Sequence, residues 1–225
     1  MSLVLGPIHH WMHKKIKVSE AREKAIVQAL KDTFGQDAKN ILADVYKKYP
    51  EPQDDGKSLE EILEDKPIHS GIQGMIDDVE TREAAIIAAF DRKLGDKAKK
   101  VASEAAYQHG ISCGQKAAKD KNLSPNDKTP GKAFELLLDN YCDGMPCDRG
   151  AQVLDETAKS IVWDHTVCIH GKYCEAANAP PKVVCDILIS WVSGFGTGIN
   201  SALKHTRRKC VAHGDQTCES CYELG

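Results

Sequence analysis

Two stretches 60 residues apart set the tightest limit on how this chain can fold. "REKAIVQALKDTFGQDAKNILADVY", from Arg22, aligns with "REAAIIAAFDRKLGDKAKKVASEAA", from Arg82. Arg, Glu, Ala, Ile, a second Ala, Gly, a third Ala and Lys recur in place. Each copy reads as helix, glycine, helix. Ile26, Val27, Leu30 and Phe34 form one apolar stripe, which Ile86, Ile87, Phe90 and Leu94 repeat. After the first glycine, Ala38, Ile41, Leu42, Val45, Tyr46 and Tyr49 keep the helical spacing. Gly35 and Gly95 can take the left-handed conformation that ends a helix. Two copies are too few for a solenoid. A duplicated helical hairpin is expected, serving internal packing or a homodimer contact.

A chain of 225 residues can bury a substantial core. Residues 1–18 read as a flexible tail carrying His9, His10 and His13. Residues 19–80 read as an N-terminal helical element and linker, with a short helix started by the Ser58–Glu61 capping pair. Residues 81–225 read as an α+β ligand-binding, hydrolase-like domain. There the helix continues through "YQHGISCGQKAAK", where Gly110 and Gly114 permit close backbone approach. "AFELLLDNYC" is a further short helix. Then the period changes. "SIVWDHTVCIH" alternates as a strand, with Ile161, Trp163, Val167 and Ile169 on one face and Asp164, Thr166, Cys168 and His170 on the other. His165 falls on the apolar side. "PPKVVCDILISWVSGFG" opens with prolines suited to a helix start and places Val184, Leu188 and Trp191 at helical spacing. The fold class is therefore α+β: N-terminal helices, then an antiparallel sheet with a C-terminal hairpin.

The closing stretch, "KCVAHGDQTCESCYEL", decides which cysteines point inward. Gly214-Asp215 fits a two-residue II′ turn. It would pair Val211 with Cys218, Arg207 with Tyr222 and His205 with Leu224. One face then holds Leu203, His205, Arg207, Lys209, Val211, Cys218, Ser220, Tyr222 and Leu224. The other holds Cys210 and Cys221 among charges and reads as solvated. Cys218 and Cys221 point opposite ways, which removes the zinc knuckle a Cys-x-x-Cys suggests. His205 and Arg207 among apolar neighbours call for a partner, either a bound anion or a buried acid from a helix.

Charge and composition exclude several classes. A net charge of −3 gives no bulk attraction to nucleic acid or anionic lipid. No apolar run reaches the ~18 residues of a membrane span. Nine cysteines without an export signal point to a cytoplasm that keeps thiols reduced. Eight of the nine lie after residue 141, so chemistry is expected in the C-terminal third.

Cys168 at a strand end, Cys185-Asp186 in the next helix and "HGDQTC" in the terminal hairpin resemble the L-2-amino-thiazoline-4-carboxylic acid hydrolase family. More remotely, they are similar to the vinyl-reductase-like (V4R) ligand-binding domains. The likeness covers residues 150–224 best and extends loosely back to Arg82. It leaves out the first repeat copy and Cys142, Cys147, Cys174, Cys210 and Cys221. The resemblance implies a hydrolase that opens a small cyclic amidine or thiazoline carboxylate to a carbamoyl-cysteine-type product. The V4R-like alternative is a non-catalytic sensor of a small molecule or metal. Hydrolysis would use Cys168 as thiolate, His170 ahead of His165 for proton transfer, and Asp186. Arg207 would anchor the carboxylate, with His205, Cys218 and Tyr222 around it. No cofactor is implied, and the partner is a small molecule rather than nucleic acid or membrane. A zinc ion on Cys168, Cys185 and Cys218, with His170 or water as fourth ligand, is the metal alternative. The plainer readings are packing for Cys185 and a local backbone hydrogen bond for Asp215.

Overall fold

Each repeat copy is a helix broken at its glycine in the computed structural model, which describes residues 6–52, 56–64, 66–144 and 150–225. Helix α1 (Pro7–Tyr46) leaves helical geometry at Gly35, with φ 53° and ψ −117°. A short α2 (Leu59–Ile62) starts at the Ser58–Glu61 capping box. Helices α3 (Ile68–Leu94) and α4 (Asp96–Asp120) meet at Gly95, with φ 57° and ψ −140°. The two breaks thus share one conformation, which a residue without a Cβ adopts at little cost.

The copies pack by exchanging equivalent ion pairs. Arg22 binds Glu83, and Arg82 binds Glu23. This reciprocity is that of an isologous contact between two subunits, made here inside one chain. The face carrying Arg22 and Glu23 is consequently buried under the second copy.

Two boundaries differ from those expected. Residues 7–18 are helix rather than tail, because the apolar stripe of α1 extends back through Met12 and Ile16. Both pack on Leu63, Ile72 and Ile76. Residues 1–5 of that expected tail lie outside the described residues. The division between residues 80 and 81 falls inside α3, which runs through it as one helix.

The rest of the chain adds α5 (Pro130–Leu138), β1 (Gln152–Glu156), β2 (Ser160–His165), α6 (Gly171–Ala176), α7 (Pro181–Ile199), β3 (Leu203–Lys209) and β4 (Cys218–Leu224). The strands form an antiparallel sheet in the order β1-β2-β4-β3, giving an α+β architecture. Strand β1 is exposed throughout, so no apolar alternation announced it. Helix α7 has the length and apolarity of a membrane span. It owes both to its place between α4 and β3. Gly110 and Gly114 of α4, and Gly194 and Gly198 of α7, lie so close to the facing helix that a Cβ on any of them would strike its backbone.

The terminal hairpin pairs His205 with Tyr222 and Arg207 with Ser220, two residues away from the expected register. A shift of two leaves each side chain on its face. His205, Arg207, Ser220 and Tyr222 therefore still point inward. The connection is an eight-residue-range loop, 210–217, with a 3-10 turn at Val211–His213 and Gly214 at φ 106°. Val211 thus leaves the strand. A bulge between Arg207 and Lys209 turns Lys209 outward, against expectation. Cys210 and Cys221 are buried, not solvated. Cys221 lies on inner strand β4 between Val162 and Thr206, where larger neighbours cover so small a side chain.

Candidate active site

Antiparallel pairing brings the ends of β2 and β3 and the start of β4 to one edge of the sheet. The first turns of α7 meet that edge, and a cavity of about 60 Å³ lies between. His165, Cys168 and His170 line it from the end of β2 and the turn that follows. Arg207 enters from β3, Cys218 from β4 and Cys185 from α7. Strand β2 stops five residues before the expected end, so Cys168 and His170 sit in a turn. The strand-face distinction between His165 and His170 accordingly disappears. A wider groove of about 620 Å³ between α1 and α3 has no cysteine or histidine among the described residues that line it.

Arg207 is the unusual member. Among the described residues it has no hydrogen-bond or ion-pair partner, and its Nε is buried and unsatisfied. Among the described residues, no buried acid pairs with it as a structural cation would require. A guanidinium facing a cavity in this state has the chemistry to take up an anion. Around it the thiols are shielded. Burial raises the pKa of Cys185, as does Cys210, whose Sγ is 3.5 Å away. Burial also raises Cys218, whose Sγ accepts the Val211 N–H at 3.4 Å. Cys168, Cys185 and Cys218 line one cavity, yet no three His, Cys, Asp or Glu side chains among the described residues converge to hold a metal ion.

Three of the expected site residues lie elsewhere. Asp186 points away from the cavity and pairs with Lys99 at 2.5 Å and His213 at 2.8 Å. His205 is enclosed beneath it, its Nδ1 bonded to Ser193 at 2.9 Å and its Nε2 to Ser220 at 3.2 Å. Tyr222 is buried and donates its O–H to the Val192 carbonyl at 2.7 Å. His205 and Tyr222 form the floor that supports Arg207 on its strand. Asp215 accepts from the Cys210 N–H at 2.7 Å, the local backbone bond expected of it.

Other residues at the cavity were not anticipated. Tyr141 places its hydroxyl 3.5 Å from His170 Nε2, and Glu80 lies 3.7 Å from the same atom. Asp143 bonds Lys15 at 3.0 Å and faces His165 at 3.9 Å. Two signals were available. Identical Arg-Glu pairs recur at the head of both repeat copies, and a short segment with two aspartates, "LDNYCDG", separates an apolar helix from a strand.

The enclosed histidines make stability depend on pH. Burial, then Arg207, depresses His205 to about 3. Burial, then Arg22 and His165, depresses His170 to about 4. An unfolded histidine protonates near its ordinary ~6.5. Each residue therefore contributes stability above that pH and loses it as the pH falls towards the folded value. Urea unfolding at about pH 6.5 and pH 5 measures this. His205→Gln is expected to lose roughly 1–2 kcal/mol less than wild type over that interval. Equal losses would contradict the assignment.

Fold and cavity together define an α+β domain with a small cavity at one edge of its sheet. A family model for L-2-amino-thiazoline-4-carboxylic acid hydrolase matches residues 78–222, and the chain belongs to that family. No curated protein and no solved structure matches it. The matched stretch takes in every residue that lines the cavity and leaves out α1 and α2. The likeness to V4R domains rests on the sequence motif alone.

Proposed function

We propose that the chain hydrolyses a small cyclic amidine carboxylate of the 2-amino-thiazoline-4-carboxylate type, opening the ring to a carbamoyl-cysteine-type product. The observation that carries this reading is Arg207, without a partner among the described residues, in the same cavity as Cys168. Arg207 receives the carboxylate bidentately, which fixes the ring against the thiol. The Cys168 thiolate attacks the amidine carbon, and the ring carbon–sulfur bond breaks. The ring sulfur leaves as a thiol, and the amidine carbon stays on Cys168 as an isothiourea. Water then adds to that carbon, Cys168 departs, and the urea-type product is released. An imidazole of the cavity handles the protons. One water is consumed overall, and no oxidant or reductant is needed.

The test is release of free thiol from 2-amino-thiazoline-4-carboxylate, followed with a thiol reagent and by the mass gain of one water. Cys168→Ala is expected to lower the rate by about a thousandfold or more while binding changes by less than about tenfold. Turnover in Cys168→Ala at the wild-type rate sinks the thiolate route. Tight binding without any turnover by the wild-type chain would instead make this a binding module.

A further inference from the structure

We propose that His165 is the base that takes the Cys168 thiol proton, and that Asp143 and Lys15 position it, Lys15 from a helix outside the family-matched stretch. This rests on Cys168 being the nucleophile. His165 ends β2, Cys168 follows in the next turn, and both line the cavity. His165 Nε2 faces Asp143 Oδ2 at 3.9 Å, an electrostatic contact too long for a direct hydrogen bond. That leaves Nδ1 as the proton acceptor. The other carboxylate oxygen, Oδ1, accepts from Lys15 Nζ at 3.0 Å in a buried pair. Burial alone would push Asp143 towards its neutral form, but His165 and Lys15 outweigh it and hold the carboxyl below its ordinary range. A carboxylate so placed stabilises the imidazolium when it forms. Helix α1 is anchored one turn earlier as well, where Trp11 Nε1 donates to Asp139 at 3.1 Å. Lys15 and Asp143 act through His165 and are positioning residues.

His170 is differently placed. Its Nε2 lies between the Tyr141 hydroxyl and Glu80, with Arg22 bound to Glu80 behind it. Depressed to about 4 by burial and then by Arg22 and His165, it is a poor acceptor for a thiol proton near neutrality. In the proposed step the proton moves from Cys168 Sγ to His165 Nδ1, leaving thiolate and imidazolium. No electrons leave the pair. The titratable and charged groups that share the cavity with His165 are Asp143 and Tyr141 after α5, Cys168 and His170 in the turn, Cys174 on α6, Arg207 on β3, Cys218 on β4 and Cys185 on α7.

Iodoacetamide tests this without any substrate, since the thiolate displaces iodide and peptide mapping assigns the modified cysteine. Cys113, half-buried and raised to about 11 by burial, is the internal reference. At about pH 6.5, Cys168 is expected to react about tenfold faster in wild type than in His165→Gln. His170→Gln is expected to change that rate by less than about twofold. Asp143→Asn is expected to slow it roughly threefold and to change its pH profile. Lys15→Met alone leaves a buried unpaired carboxylate and can unfold the chain. The neutral pair Lys15→Met/Asp143→Asn is therefore measured beside it, and Lys15→Arg should restore the wild-type profile. An unchanged rate in His165→Gln, or a loss confined to His170→Gln, overturns the base assignment. A wild-type profile in Asp143→Asn and in the neutral pair overturns the positioning role. If thiazoline carboxylates are not turned over but the alkylation pattern holds, the substrate class falls and the assignment stands.

Discussion

Arg22→Met is expected to destabilise the fold by roughly 3–5 kcal/mol, a large part of the ~5–15 kcal/mol that holds a domain together. Arg22 is buried, bonded to Glu83 through Nε at 2.9 Å and through a terminal nitrogen at 2.5 Å, and to Glu80 at 3.4 Å. Burial opposes its charge, but Glu83 and Glu80 outweigh that and raise its pKa. Without the guanidinium, two carboxylates remain in a place water does not reach. Ser19 satisfies one oxygen of Glu80 but supplies no positive charge. Guanidinium unfolding of wild type and variant measures the loss. Arg22→Met/Glu83→Gln should recover part of it, because one uncompensated charge goes. The deficit of the single variant should also shrink on acidification, as the stranded carboxylates take up protons. A loss below about 1 kcal/mol would mean that water reaches these carboxylates.

Arg207→Met is expected to lower kcat/KM for 2-amino-thiazoline-4-carboxylate by about 100- to 1,000-fold, worth roughly 3–4 kcal/mol of transition-state binding. The same substitution should scarcely change the rate on the uncharged primary amide of that substrate. The ratio of the two effects is the diagnostic quantity. Equal losses on acid and amide would assign Arg207 to the fold rather than to the carboxylate. Stability should move the other way. The variant exchanges a cationic side chain that pairs with no described residue for an apolar one, and its unfolding free energy is expected to be unchanged or higher. Lys at this position keeps the charge but not the fork, so Arg207→Lys should fall between wild type and Met.

Much of the fold was legible because its signals are local. The repeat, the glycine breaks and the α7 apolar stripe each depend on spacing within one segment, and each appears where spacing put it. The inward face of the terminal hairpin was legible despite a wrong register, because an error of two residues preserves a strand's sides. An error of one is fatal to that logic, and the bulge at Lys209 supplied it locally. The start of α1 was read as tail because Met12 and Ile16 stand among lysines and histidines. Their partners, Leu63, Ile72 and Ile76, lie more than forty positions away in the chain.

The site divides in the same way. Sequence alone determined which chemical groups the C-terminal third offers: thiols at 168, 185 and 218, two histidines near the first of them, and an arginine on an inward strand face. Only the tertiary structure decided which of them meet. Antiparallel pairing gathers the ends of β2 and β3 with the start of β4, so Cys168, Arg207 and Cys218 share a cavity that His205, Tyr222 and Asp186 do not line. Packing of the repeat on itself then carries Lys15 and Arg22 to the acids behind His165 and His170. Spacing along a chain fixes which way a side chain points within its own helix or strand. Which distant charge stands opposite is fixed by packing, because a charge taken out of water must find its partner wherever the fold can place one.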